Sequence, residues 1–181
     1  MIRVLWLAVA LLLAGCATQE TLFRPAAPQT AGMADTPFSV SGRLSVNMNG
    51  HGNTANFEWA HSVASDDLSI NTPVGTTVAH LSRDASGVTL ESDGQTWRAP
   101  DVERLTQARL GWTLPLSNLV WWIRGQAAPD VPAQFDADGS LLQQGWRIRF
   151  LADADNPSPY PKRVDLARDD LTIRLVTYRW Q

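Results

Sequence analysis

The chain has 181 residues, with 15 Lys+Arg against 18 Asp+Glu and a formal net charge of −3. No block of lysine and arginine could track a phosphate backbone, which argues against nucleic acid as a partner. Eight tryptophans and one cysteine are the unusual counts, and a lone cysteine has no disulfide partner within the chain.

The N-terminal segment carries Arg3 and then an apolar run from Val4 to Leu13. That run is too short to span a bilayer as an ordinary helix, which takes roughly 20 residues. A charged start, a short apolar centre and small residues before a cut point predict a secretory signal over residues 1–15. Leu13-Ala14-Gly15-Cys16 resembles the lipobox of bacterial lipoproteins. The resemblance implies that cleavage leaves Cys16 as a lipidated N-terminus; the alternative is an ordinary signal peptide and an incidental thiol. Stable anchoring takes more than one acyl chain, and a lipoprotein cysteine of that type carries three. Ala17 stands where an aspartate would retain such proteins in the inner membrane. By resemblance, then, the mature protein is lipid-anchored in the outer membrane and faces the periplasm.

Residues 16–36 form the lipidated N-terminus and a stretch of little periodicity broken by Pro25, Pro28 and Gly32, which predicts a flexible tether. Within it, Thr21-Leu22-Phe23 either docks on the domain or stays with the tether; the sequence leaves both open. A single domain is expected over 37–181.

Strand signals begin at once. Phe38, Val40, Leu44, Val46 and Met48 share one parity against Ser39, Ser41, Arg43, Ser45 and Asn47, the period of a half-buried strand with Arg43 on its solvated side. Asn49 to Gly52 supplies a turn, after which Ala55, Phe57 and Trp59 alternate with Asn56 and Glu58. Further strands are predicted over Asp67–Thr72, Thr76–Arg83, Val88–Glu91 and Gln95–Ala99, the last with Trp97 inward. The period then changes. Asp101 is a helix N-cap ahead of Val102 and Leu105, with the helix ending near Gly111. After Pro115, the residues Leu116, Leu119, Val120 and Ile123 make one helical stripe, which Gly125 stops, and at least one of Trp121 and Trp122 turns inward. Strands resume with Trp146, Ile148 and Phe150, then Val164 and Leu166, and last Leu171–Trp180. In that final strand the apolar parity changes midway, a sign of a bulge or of burial on both faces. The proline-rich stretch Asn156–Pro161 is a loop.

About ten strands with two short helices between the strand groups predict a mainly β domain. A sheet this large with one apolar face must curl and cover itself. The two helices are the cover, and what they enclose is either a solid core or a cavity.

The lipobox, Gly42-Arg43-Leu44, Phe57-Glu58-Trp59, Thr72-Pro73-Val74-Gly75, Leu114-Pro115-Leu116, Trp122-Ile123-Arg124-Gly125 and Gln144-Gly145-Trp146 follow one another in a set order. That order and spacing resemble the LolB family, the outer-membrane lipoprotein receptor of the lipoprotein-sorting (Lol) pathway. The resemblance implies an incomplete, half-open antiparallel β-barrel with a short helical lid over an apolar cavity. It also implies a receptor that accepts acylated lipoproteins from the soluble carrier LolA and inserts them into the outer membrane without nucleotide. In keeping with that, the chain has no Gly-x4-Gly-Lys-Ser/Thr phosphate loop. Each methylene costs about 0.8 kcal/mol in water, so acyl chains need a shield to cross the periplasm. Phe57, Trp59, Leu68, Trp97, Leu119, Trp122, Ile123, Trp146, Ile148 and Phe150 are expected to line the acyl cavity, the alternative for each being core filler. In the family, a leucine in a Pro-Leu-Gly turn protrudes and assists delivery to the membrane. The matching residue is Val74, so Pro73, Val74 and Gly75 are expected to form a membrane-insertion loop, unless Val74 packs under its own loop.

No catalytic residue, metal or cofactor is expected. His51 and His61 lie in turn-like segments, His80 sits on a strand of uncertain phase, and no Gly-x-Ser-x-Gly elbow is present. No His/Cys cluster has zinc spacing, and Asp136-Ala137-Asp138-Gly139 begins a calcium loop that the following residues do not complete. These aspartates, Asp66-Asp67, Asp153/Asp155 and Asp169-Asp170 read as turn residues. The expected partners are LolA, client acyl chains and the outer membrane, with a monomer as the default state. The competing reading is an outer-membrane lipoprotein that serves as a scaffold or binds another amphiphile.

Overall fold

The structure, a computed structural model, describes residues 20–24, 36–129 and 131–181. The expected signal segment 1–15, Cys16 and most of the tether lie outside the described residues.

Eleven strands build one sheet: β1 Phe38–Met48, β2 His51–His61, β3 Asp66–Asn71, β4 Thr77–Asp84, β5 Gly87–Ser92, β6 Gln95–Ala99, β7 Gln134–Phe135, β8 Leu141–Gln143, β9 Trp146–Leu151, β10 Arg163–Arg168 and β11 Leu171–Trp180. Helices α1 (Val102–Leu110) and α2 (Leu116–Trp122) come between β6 and β7. The strand order is β6-β5-β4-β3-β2-β1-β11-β10-β9-β8-β7, antiparallel throughout. The chain thus starts mid-sheet, works out to one edge, crosses through the helices, and returns from the other edge until β11 closes onto β1. The two edge strands do not pair, so the sheet is curled but open.

The parity change in the last strand is a bulge. Ser41 pairs with Arg179 but Gly42 with Thr177, which leaves Tyr178 unopposed and 51% exposed. Leu171, Ile173, Leu175 and Thr177 keep the inward phase up to that point. Gly42 stands beside the bulge because a Cβ there would run into the Val176 carbonyl and the Phe57 ring.

The helices follow their local signals. The Asp101 carboxylate accepts the Arg104 amide at 2.8 Å, and Gly111, at φ 76°, ends α1 by donating its amide to Gln107 O at 3.2 Å. In α1 the buried residues are Val102, Leu105 and Thr106, whereas 107–110 are exposed. In α2 both Trp121 and Trp122 are buried along with Leu116, Asn118, Leu119 and Val120, and only Ser117 is exposed, so most of this helix lies inside the domain.

Part of the expected tether is docked. β8 covers β9 only as far as Ile148. Beyond it, Phe150 O accepts the Phe23 amide at 3.0 Å, Thr21 O accepts the Ala152 amide at 2.8 Å, and Leu22 bridges Leu151. The Phe23 ring lies over Gly125, where a Cβ would run into it. Unpaired strand backbone is thereby satisfied by a segment with no periodicity of its own.

Candidate functional site: an apolar cavity and an exposed loop

Between the inner face of β1–β5 and β11 and the two helices lies an apolar cavity of about 140 Å³. Strand residues Leu44, Phe57, Trp59, Ile70, Leu81 and Leu90 form one wall, and Leu110, Leu114, Leu119 and Ile123 the other. Ser92 and Thr106 are its polar side chains, and both are engaged. Ser92 Oγ donates to Val78 O at 2.9 Å, while Thr106 Oγ1 donates to Val102 O and accepts the Leu114 amide, each at 2.9 Å. Walls so largely apolar favour apolar occupants.

Of the residues expected to line an acyl cavity, Phe57, Trp59, Leu68, Leu119 and Ile123 stand on this wall. Trp97 does not reach it; its half-buried ring lies under the Arg109 guanidinium, 4.9 Å away. Trp122, Trp146, Ile148 and Phe150 are buried elsewhere, beneath β8–β10. There Trp122 and Trp146 pack with ring centroids 6.4 Å apart. Trp122 Nε1 donates to Gln143 Oε1 at 2.7 Å, the same oxygen accepts the Ala128 amide at 2.9 Å, and Gln143 Nε2 donates to Ala128 O at 2.8 Å. The inward parity of strands β1, β3 and β11 was the available signal for Leu44, Ile70, Ile173 and Leu175, wall residues that the sequence reading left out.

Trp59 links the cavity to a buried carboxylate. Asp66, 2% exposed, accepts from Trp59 Nε1 at 2.9 Å, His61 Nδ1 at 2.7 Å and Arg83 Nε. Burial alone would raise its pKa. The hydrogen bonds from His61, Arg83 and Trp59, with the charge of Arg83, outweigh that and hold the carboxyl below its ordinary value of 3.8. The reading of Asp66 as a turn residue is therefore corrected, as is that of His61, the buried last residue of β2. His61 and Asp66 are cross-strand partners on β2 and β3, a pairing that spacing alone does not reveal.

The 72–76 connection is a compact loop. Thr72 N donates to Thr76 O at 2.8 Å, Gly75 N to Thr72 O at 2.9 Å, and Thr76 N to Thr72 Oγ1 at 3.1 Å. Gly75, at φ 92°, takes the left-handed turn that a side chain would strain. Val74 at the tip is 90% exposed and does not pack under its own loop. Two residues before Thr72, Ile70 lines the cavity, so the loop springs directly from its wall. Among the described residues no three His, Cys, Asp or Glu side chains converge on a metal position.

A curled antiparallel sheet whose helices cover an apolar cavity offers a space suited to apolar ligands. The family described as outer membrane lipoprotein LolB matches residues 36–180. An outer-membrane lipoprotein LolB from Chromobacterium violaceum is 58% identical, over 99% of this chain and 98% of its own. Another, from Nitrosomonas europaea, is 32% identical over 97% of this chain and 90% of its own. The chain belongs to the LolB family of outer-membrane lipoproteins. Among solved structures, a LolA superfamily protein from Nitrosomonas europaea aligns with 81% of this chain and 86% of its own, at a TM-score of 0.47 and 9% identity.

Proposed function

We propose that this chain is a receptor held to the outer membrane by lipid on Cys16, which takes acylated lipoproteins from the carrier LolA and releases them into that membrane. The observation that carries this reading is the apolar cavity between sheet and helices. At about 140 Å³ it is small: at ~30 Å³ for a water-sized group it holds only about five such groups. A long acyl chain therefore enters by widening it. Helix α1 is the cover that can yield, because only Val102, Leu105 and Thr106 are buried in it, whereas six of the seven residues of α2 are buried. Each methylene kept out of water is worth about 0.8 kcal/mol, so a chain leaving its carrier favours a widened cavity over exposure to the periplasm. No nucleotide step is required, and direction follows from a rise in affinity along the relay.

Val74 completes the reading as a membrane wedge. An apolar side chain exposed at the tip of a hydrogen-bonded loop beside the cavity wall gains free energy on entering a lipid surface.

The test uses the domain without signal peptide and Cys16, mixed with LolA carrying a labelled lipoprotein. The label is expected to move from carrier to domain, and an apolar dye is expected to brighten in the empty domain and be displaced by long-chain fatty acid. A folded domain that leaves the label on LolA would sink the receptor reading.

A further inference from the structure

We infer that Glu20–Arg24 is a releasable strap that decides which rim of the half-barrel faces the membrane carrying the anchor. The inference rests on the reading of Cys16 as the lipidated residue.

Because every neighbouring pair of strands is antiparallel, successive connections alternate between two rims. The β1–β2 and β10–β11 turns share one rim, where Asn49 N donates to Asp170 O at 3.3 Å, and the Val74 loop between β3 and β4 is on that rim too. The β9–β10 connection is on the opposite rim. The strap sits there, with the Ala152 amide donating to Thr21 O. Strap and wedge thus belong to opposite rims.

Reach turns that placement into a constraint. Cys16 precedes Glu20 by four residues, at most about 14 Å of extended chain. A domain of about 145 residues has a radius of gyration near 15 Å and is therefore about 40 Å across. With the strap docked, the anchor cannot pass around the domain, and the rim bearing Val74 points away from the membrane. That posture suits receipt of a client from the periplasm. With the strap released, the leash runs from Cys16 to Pro37, about 70 Å at full extension, and the domain can turn Val74 onto the lipid.

The dock is built to let go. It consists of two backbone hydrogen bonds, the half-buried Phe23 ring, and one half-exposed carboxylate, Glu20, which is 2.7 Å from Arg163 and 3.9 Å from Arg149. Arg163 keeps Asp165 at 3.1 Å when Glu20 leaves, so release strands no charge.

Leu22 and Leu151 face each other between the two strap hydrogen bonds. Such a pair has its Cα atoms about 4.5 Å apart, within reach of a disulfide. The experiment takes the full lipidated chain as L22C/L151C in vesicles of phosphatidylethanolamine and phosphatidylglycerol, with amide exchange of residues 72–76 as readout. In the reduced protein these amides should exchange about tenfold more slowly on vesicles than in detergent; in the oxidised protein vesicles should make no difference. Glu20→Ala, a surface change that loosens the strap, should match or exceed the reduced protein. Equal protection of the loop in the oxidised and reduced forms would overturn the inference. A parallel assay with carrier-held lipoprotein separates the two ideas. Oxidised protein should accept the client as fast as reduced protein but deliver it more slowly, with dithiothreitol restoring the rate. Failure of both forms to accept client counts against the receptor reading, while the exchange result still decides the strap.

Discussion

On the β1–β5 side of the sheet, Phe57, Trp59, Leu68, Leu81 and Leu90 turn inward and enclose a cavity of about 140 Å³. On the β8–β10 side, Trp146, Ile148, Phe150, Val164 and Leu166 turn inward with the same alternation, and each is 0–1% exposed. The strands do not differ in pattern; their covers do. Under β8–β10 the indole of Trp122 wedges against Trp146 and is pinned by Gln143, which also ties down Ala128. Over β1–β5 the cover is Leu119, Ile123 and the thinly buried α1, which leave a gap. One half is built as a fixed core and the other as a space that can be filled, and each of the following expectations sharpens or breaks that division.

The largest effect is expected in the fixed half. Trp146→Ala removes a fully buried ring and should cost about 3–5 kcal/mol, whereas Leu68→Ala on the half-buried cavity wall should cost only about 1–2 kcal/mol. Urea denaturation of both variants checks the order, and a reversed order would break the division.

Asp66 comes next, because it braces Trp59 at the cavity wall. Asp66→Asn leaves Arg83 and His61 facing a weaker acceptor and should cost about 2–3 kcal/mol at neutral pH. The pH dependence has a definite sign. The folded carboxyl titrates below 3.8 and the unfolded one near it, so its stabilisation is complete above that range and is lost as pH falls through the lowered value. Unfolding midpoints measured from pH 7 down to pH 3 should therefore fall more steeply for the wild-type protein than for the variant at the acid end.

What was legible in the sequence was what local chemistry determines. The period of two set β1 at Phe38–Met48, the pair Asp101 and Gly111 bounded α1, and Pro73 with Gly75 marked the exposed loop, all as found. The division between the halves was not legible, because parity says only that Trp146 and Trp59 both point inward; whether an inward ring meets a cavity depends on the helix lying opposite. Asp66 was misread for a related reason: its partners Trp59, His61 and Arg83 are brought together by strand register rather than by spacing. The docking of Thr21–Phe23 depends on how far β8 extends along β9, a fact of the folded sheet alone.

Filling tests probe the gap directly. Ala79 lines the cavity and Ala128 is buried against Gln143. Ala128→Leu forces extra volume into the fixed half and should cost about 1–3 kcal/mol, while Ala79→Leu has room and should fall within about 1 kcal/mol of the wild type. Dye fluorescence should drop for Ala79→Leu and stay unchanged for a folded Ala128→Leu. Equal penalties would mean that the cavity is no softer than the core.

The smallest effect on stability is expected where the effect on function is greatest. Val74 is 90% exposed, and its loop is held by Thr72, Thr76 and the turn at Gly75 rather than by its own side chain. Val74→Glu should therefore leave the unfolding free energy within about 0.5 kcal/mol. A carboxylate at the tip, however, must be desolvated to enter a lipid surface, and burying an unpaired charge is far more costly than leaving valine in water. Uptake of labelled lipoprotein from LolA should be unchanged in this variant and its release into vesicles largely lost. Val74→Leu should restore release to at least the original level, since a longer apolar side chain buries more area in lipid. If Val74→Glu delivers normally, the exposed valine has no part in insertion, and the cavity alone must account for transfer.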